Sequence, residues 1–178
     1  MLRLFAAIAV PDDIAEGLTD RQHGLDVRWS PPENLHITLR FFGEVAEPVA
    51  DDLDSELDRI AAAPFALSLA GAGAFGEGEH VGSVWAGVAP NPSLARLAKA
   101  CETAARRAGL KPETRAYHPH VTLAYVRRAD PAAVGAWIQA NNLLQSPDFP
   151  VTAFGLYSSH ATHHGSRYRL ERVYPLRG

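Results

Sequence analysis

The chain has a single cysteine, Cys101, so no intramolecular disulfide can staple it, and a reduced, cytoplasmic setting is the simplest expectation. No apolar stretch approaches the roughly 18 residues that a membrane-crossing helix needs. The apolar run from Leu2 to Val10 contains Arg3 and stops at Pro11, which is short for a signal peptide and suits a buried first strand. Charge of one sign is also lacking: 17 Lys+Arg stand against 20 Asp+Glu, a net of -3. No general basic field therefore exists to hold long nucleic acid by counterion release, and any phosphate binding must be local. Lysine is scarce, with only Lys99 and Lys111, so nearly all the basic side chains are arginines, which suit forked contacts with phosphate oxygens. A glycine-rich phosphate loop, a dinucleotide fingerprint and a cysteine pair at zinc spacing are all missing.

What is present is one domain's worth of chain, 178 residues at 47% hydrophobic, with no linker or low-complexity stretch to divide it. The spacing predicts strands at Leu2 to Val10 and Leu35 to Phe42. A helix from Pro11 to Gly24 falls between them, and a second helix runs from Glu47 to Ala63. Phe65 to Phe75 and Val81 to Val88 read as a hairpin, Asn91 to Gly109 as a helix, and His118 to Val126 as a strand. A short helix from Asp130 to Asn142 and two closing strands, Phe149 to Ser158 and Tyr168 to Tyr174, complete the order β-α-β-α-β-β-α-β-α-β-β. That order suggests an internal duplication within a single domain over residues 1–178. It points to an α+β fold with two mostly antiparallel sheets and outer helices.

The informative feature is a phrase written twice, 84 residues apart: His36-Ile37-Thr38-Leu39 and His120-Val121-Thr122-Leu123. Along a strand, side chains two positions apart share a face, so each His faces the same way as its Thr while Ile or Val and Leu anchor the strand in the core. With the two strands side by side, two imidazoles and two hydroxyls converge on one surface. A neutral imidazole can take a proton from an attacking water while an imidazolium gives one to a leaving oxygen. The hydroxyls can hold the non-bridging oxygens of a phosphodiester between them. That scheme requires no metal.

The paired motifs resemble those of the 2H phosphoesterases. The stretches Leu2 to Pro11, Trp29 to Glu44, Pro119 to Leu123 and Leu156 to Tyr168 are similar to the RNA 2′,3′-cyclic phosphodiesterase group, also called 2′-5′ RNA ligase. The resemblance covers the whole chain. It implies a bilobal, pseudo-symmetric fold with the four motif residues in a central cleft, a hydrolase without metal or cofactor, and opening of 2′,3′-cyclic phosphate RNA ends to 2′-phosphomonoesters. By the same resemblance His36 is the proton donor and His120 the proton acceptor, and Thr38 and Thr122 bind phosphate. Separately, the protein is expected to be a monomer. Phe42 is expected to stack on the terminal base, with a core role open for Phe41 or Phe42. The sequence departs from the family at Tyr125, where many relatives carry arginine. A regular strand would turn Tyr125 away from Thr122, leaving Arg40, Arg115, Arg127 or Arg167 as substitute cations.

Other readings compete. His160, His163 and His164 cluster within five residues and His118 lies two from His120, a pattern open to metal binding, but no Cys or carboxylate falls at a ligand-like spacing nearby, and a solvated hairpin loop between two strands is the favoured explanation. A silent RNA-end-binding module, 2′-5′ ligation of RNA halves and hydrolysis of a small cyclic nucleotide are the remaining alternatives.

Overall fold

A computed structural model describes residues 1–178. Its elements in chain order are β1 (Leu2–Ala9), α1 (Asp12–Thr19), β2 (His36–Val45), α2 (Glu47–Asp58), β3 (Phe65–Leu67), β4 (Leu69–Phe75), β5 (Ser83–Val88), α3 (Pro92–Arg107), β6 (His120–Tyr125), α4 (Pro131–Asn141), β7 (Phe149–Val151), β8 (Ala153–Thr162) and β9 (Gly165–Pro175). Each helix opens with a proline or acids in its first turn, where they fit the unpaired amides. Asn91 and Asp130 cap α3 and α4 through their side chains. No helix is long and apolar enough to cross a membrane.

Seven strands form an antiparallel sheet in the order β4-β5-β6-β2-β1-β8-β9, and β3 pairs with β7 in a small second sheet. The fold is α+β, as the residue pattern indicates. Two long strands of the sequence reading are broken in the structure. The expected strand from Phe65 splits at Ser68 and the one from Phe149 splits at Thr152, and the leading pieces pair with each other. The first two helices also end sooner than their apolar spacing suggests, at Thr19 and Asp58.

Residues from Leu4 to Ile8 are all buried, which is why the near-continuous apolar β1 lies inside the sheet and not at an edge. The repeat visible in the sequence is laid out around one contact. β2 meets β6 through the antiparallel pair Ile37↔Val121, the same position of the two repeated motifs. The segments β1-α1-β2-α2 and β5-α3-β6-α4 thus lie on either side of that pair, with β1 flanking β2 and β5 flanking β6.

The Leu of each motif marks a second correspondence. In β2 the partners of Ala7 and Ala6 are Thr38 and Arg40, so Leu39 is an extra residue. In β6 the partners of Trp85 and Val84 are Thr122 and Ala124, so Leu123 is extra. A β-bulge therefore follows Thr in both strands, keeps both leucines in the core, and shifts the alternation of everything beyond it. One face of the sheet carries the motif side chains. The other is packed on helices, where Arg40 reaches Glu102 of α3 and Arg172 reaches Asp54 and Asp58 of α2.

Candidate active site

Antiparallel pairing of Ile37 with Val121 points His36 toward Thr122 and Thr38 toward His120 across the seam. The four motif side chains are thereby gathered on one face, partly buried, while Ile37, Leu39, Val121 and Leu123 go into the core.

Both imidazoles are held by the same device. His36 Nδ1 lies 2.7 Å from the carbonyl oxygen of Asn34, and His120 Nδ1 lies 2.7 Å from that of His118, in each case two residues earlier. A carbonyl only accepts, so Nδ1 carries the hydrogen and Nε2 of each neutral ring is left as the free base. Burial lowers the pKa of both rings below the ordinary histidine value. The backbone carbonyl contact of each ring pulls back against burial, and a neighbouring histidine, His120 for His36 and His118 for His120, lowers the pKa further. The seam is further fixed by Tyr117, whose hydroxyl donates to the Thr38 carbonyl at 2.8 Å and so ties the segment before β6 to β2.

The walls around the two rings differ. His36 packs against Phe5 at 5.0 Å between ring centroids and against the edge of Tyr168 at 5.2 Å, and Phe5 stacks in turn on Tyr157. Burial raises the Tyr168 phenol to about 12. His120 meets Phe75 edge-on at 4.8 Å and Trp85 at 6.0 Å, and His118 leans on both aromatics. The Trp85 indole lies over Gly73, where a Cβ would stand 2.5 Å from the ring, so glycine is required there. Its Nε1 is buried without a partner. Phe5, Phe75, Trp85 and Tyr168 escape sequence reasoning because each reads as an ordinary apolar strand residue.

Phe42 and Arg40 do not join the four. Phe42 is 8% exposed and belongs to the core, while Arg40 is spent on Glu102 at 2.7 Å and on the carbonyl oxygens of Phe41 and Lys111. The bulge at Leu39 is the cause, since it turns Arg40 to the helix side with Ala6 and brings Phe41, paired with Phe5, to the motif face. The same shift at Leu123 corrects the expectation for Tyr125. Paired with Ser83, it returns to the face of Thr122, 63% exposed, with its phenol beside that of Tyr168. Of the other candidate cations, Arg115 is bound to Glu113, Arg127 lies past the end of β6, and Arg167 is on the face of β9 opposite Tyr168, so none of them joins the four motif residues. Arg3, which was not among them, lies over the Phe41 ring at 5.1 Å.

The histidine cluster lies on an exposed hairpin, with a connection tighter than a loop. Strands β8 and β9 run on to a turn of only His163 and His164, and His160 is engaged with Ser158 at 3.0 Å. Nowhere are three or more His, Cys, Asp or Glu side chains gathered as a metal would need.

Half-sites of this kind, duplicated across one strand pair, are the arrangement that a two-histidine phosphoesterase requires, and the chain's likeness to known proteins points to the same class. The model of the 2′-5′ RNA ligase superfamily matches residues 10–163, and the chain belongs to that superfamily. It is 31% identical over 177 residues to an RNA 2′,3′-cyclic phosphodiesterase of Archaeoglobus fulgidus, covering 97% of this chain and 99% of the relative. With the enzyme of the same name from Aeropyrum pernix it shares 39% over 107 residues, spanning 60% of this chain and 61% of that protein. Among solved structures, E. coli LigT complexed with 3′-AMP superposes with a TM-score of 0.78 at 30% identity over 98% of both chains. TT0787 of Thermus thermophilus gives 0.81 at 25% identity over 99% of both.

Proposed function

We propose that this chain is an RNA 2′,3′-cyclic phosphodiesterase that opens the cyclic phosphate at an RNA end to a 2′-phosphomonoester, with His36 as proton donor and His120 as proton acceptor. The observation that carries it is the matched pair of imidazoles, each with Nδ1 fixed on a backbone carbonyl and Nε2 free, beside two threonine hydroxyls on one face. A phosphorus bound between the threonines lies between the two Nε2 atoms. His120 takes a proton from water as its oxygen attacks phosphorus, the bond from phosphorus to O3′ breaks, and His36 gives its proton to O3′. The Thr38 and Thr122 hydroxyls donate to the non-bridging oxygens, where charge builds in the transition state.

Burial favours neutral rings in the free cleft, and an anionic phosphate between them favours the imidazolium, so the substrate's own charge helps protonate the donor. Every step is done by side chains of this chain. In ligation a 5′-hydroxyl would stand in for water, giving its proton to His120 while His36 again protonates O3′; the two histidines exchange roles only in the reverse reaction, cleavage of the 2′-5′ bond by the 3′-hydroxyl. The buried, lone Cys101 and the chain's own complete pair of half-sites fit a monomer working in a reducing cytoplasm.

The test is an RNA oligonucleotide ending in a 2′,3′-cyclic phosphate, incubated with the protein in excess EDTA, with the product identified by chromatography. A 2′-phosphate is expected. A 3′-phosphate would reverse the leaving-group assignment, and activity that appears only when zinc is restored would overturn the metal-free scheme.

A further inference from the structure

The β8–β9 hairpin continues past the sheet that it belongs to. β8 pairs with β1 only as far as Leu4↔Ser158, and from there to the turn the two strands pair only with each other. The free part does not project along the direction of the sheet. Its tip touches the segment before β2, where the Asn34 side chain donates to the Ser166 carbonyl at 3.0 Å and Arg28 to that of His163 at 3.4 Å. Tyr168 on its underside rests on Phe5 and His36, so the hairpin arches over the His36 half of the site. Asn34 couples the two, because its carbonyl holds His36 Nδ1 while its amide holds the arch.

Alternation then fixes what the arch shows to solvent. With Tyr168 facing inward, Arg167 and Arg169 face outward, opposite His160 and Ser158 on the partner strand. No acidic residue occurs between Asp148 and Glu171, in a chain whose net charge is -3. Arg28 stands at the tip, and exposed Arg127 and Arg128 come one residue past Tyr125, after the buried Val126; Tyr125 itself abuts Tyr168. Arg169 lies 3.9 Å from Glu171, and the chain's other arginine ion pairs are made by Arg40, Arg59, Arg106, Arg107, Arg115 and Arg172. Arg28, Arg127, Arg128 and Arg167 are therefore not ion-paired, although Asp26, Glu33 and Asp130 lie on the same segments. Acids concentrate elsewhere, with nine of the 20 in α1 and α2.

We infer that this arch is an arm that carries the phosphodiester backbone of an RNA strand upstream of its cyclic end, with Arg127 and Arg167 as its principal phosphate contacts. The inference rests on the phosphodiesterase reading and adds to it a second binding site on the same substrate: a surface for the strand beyond its cyclic end, which a cyclic mononucleotide does not reach. A regular series of single negative charges is what a local group of guanidiniums without ion-pair partners suits, and it reconciles RNA binding with a chain that has no overall basic field.

The test compares a cyclic-phosphate-ended RNA oligonucleotide with a 2′,3′-cyclic mononucleotide, for the wild type and for the double variant Arg127→Gln/Arg167→Gln. On the oligonucleotide the variant should lose about tenfold in kcat/KM, mostly in KM, and its salt slope should fall by about 0.7 for each phosphate contact removed. On the mononucleotide its rate should stay within about twofold, since neither side chain belongs to the four-residue site. Fluorescence anisotropy with the same RNA ending in a plain 3′-hydroxyl reads the arm without turnover, and should show weaker binding for the double variant but not for His120→Ala. Equal losses on both substrates, or unchanged oligonucleotide binding, would overturn the arm. If the wild type cleaves neither substrate, the phosphodiesterase reading fails, and the anisotropy result still decides the arm by itself.

Discussion

In one half of the cleft His36 lies between Phe5 and Tyr168 beneath the arched β8–β9 hairpin. In the other, His120 lies against Phe75 and Trp85 and is less deeply buried. The backbone around the two rings follows one plan: a carbonyl two residues earlier on Nδ1, a Thr two residues later, a bulged Leu after it, and a small or aromatic partner on the flanking strand. The comparison separates what the chemistry requires from what can vary. The duplicated part positions a free Nε2 and a hydroxyl. The unlike part, the aromatic walls and the arm, is what can make one ring a donor and the other an acceptor.

The largest effect that would break the symmetry of that plan comes from removing either ring. His36→Ala and His120→Ala should each lower kcat by about 10² to 10⁴-fold, the usual range for a general acid or base, as measured on a cyclic-phosphate RNA. Thr38→Ala and Thr122→Ala should each cost about 10 to 10²-fold, since each removes one neutral donor to the transition state. A threonine loss as large as the histidine losses would place the proton chemistry elsewhere.

The pH profile sharpens the comparison further. His120 must be neutral, so kcat/KM falls as pH drops below its pKa. His36 must be charged, so kcat/KM falls as pH rises above its own. Burial lowers both below the ordinary value of about 6.5, so both limbs move to acid and the maximum should lie below about pH 6.5. A rate that climbs without a maximum from pH 5 to about pH 9 contradicts the division of labour. The smallest expected change isolates one wall. Tyr168→Ala opens His36 to water and should raise its pKa toward the ordinary value while leaving His120 in place, as followed by NMR titration of the two rings. Equal movement of both would show that the walls do not set the difference.

The chain's own pattern made much of this legible. The repeated His-x-Thr-Leu phrase located four site residues, and period-two alternation put them on one face with Ile37 and Val121 on the other, because both strands are regular up to Thr. Beyond Thr the reading slipped, and for one reason. A bulge at Leu39 and another at Leu123 change the parity, so Phe41 replaces Phe42 on the site face, Arg40 goes to the helices, and Tyr125 comes back into the cleft. The burial of Leu39, Phe42 and Val45 at intervals of three is the trace of that change within the sequence. The arm was missed because Ser159 to Arg167, polar and histidine-rich, lacks the apolar alternation of a strand that packs on a core. Its two strands are held by pairing with each other and by the latch at Asn34.

The division of labour between two like-built histidines is tested most directly by a leaving group that needs no proton. A 3′-deoxynucleoside 2′-(4-nitrophenyl phosphate) keeps the phosphodiester, has no 3′-hydroxyl to attack the phosphorus in place of water, and releases a weakly basic phenolate. On this substrate His36→Ala should recover to within about tenfold of the wild type, because the donor is no longer needed, while His120→Ala should remain as impaired as it is on RNA. Recovery of His120→Ala in place of His36→Ala, or equal impairment of both, would contradict the account.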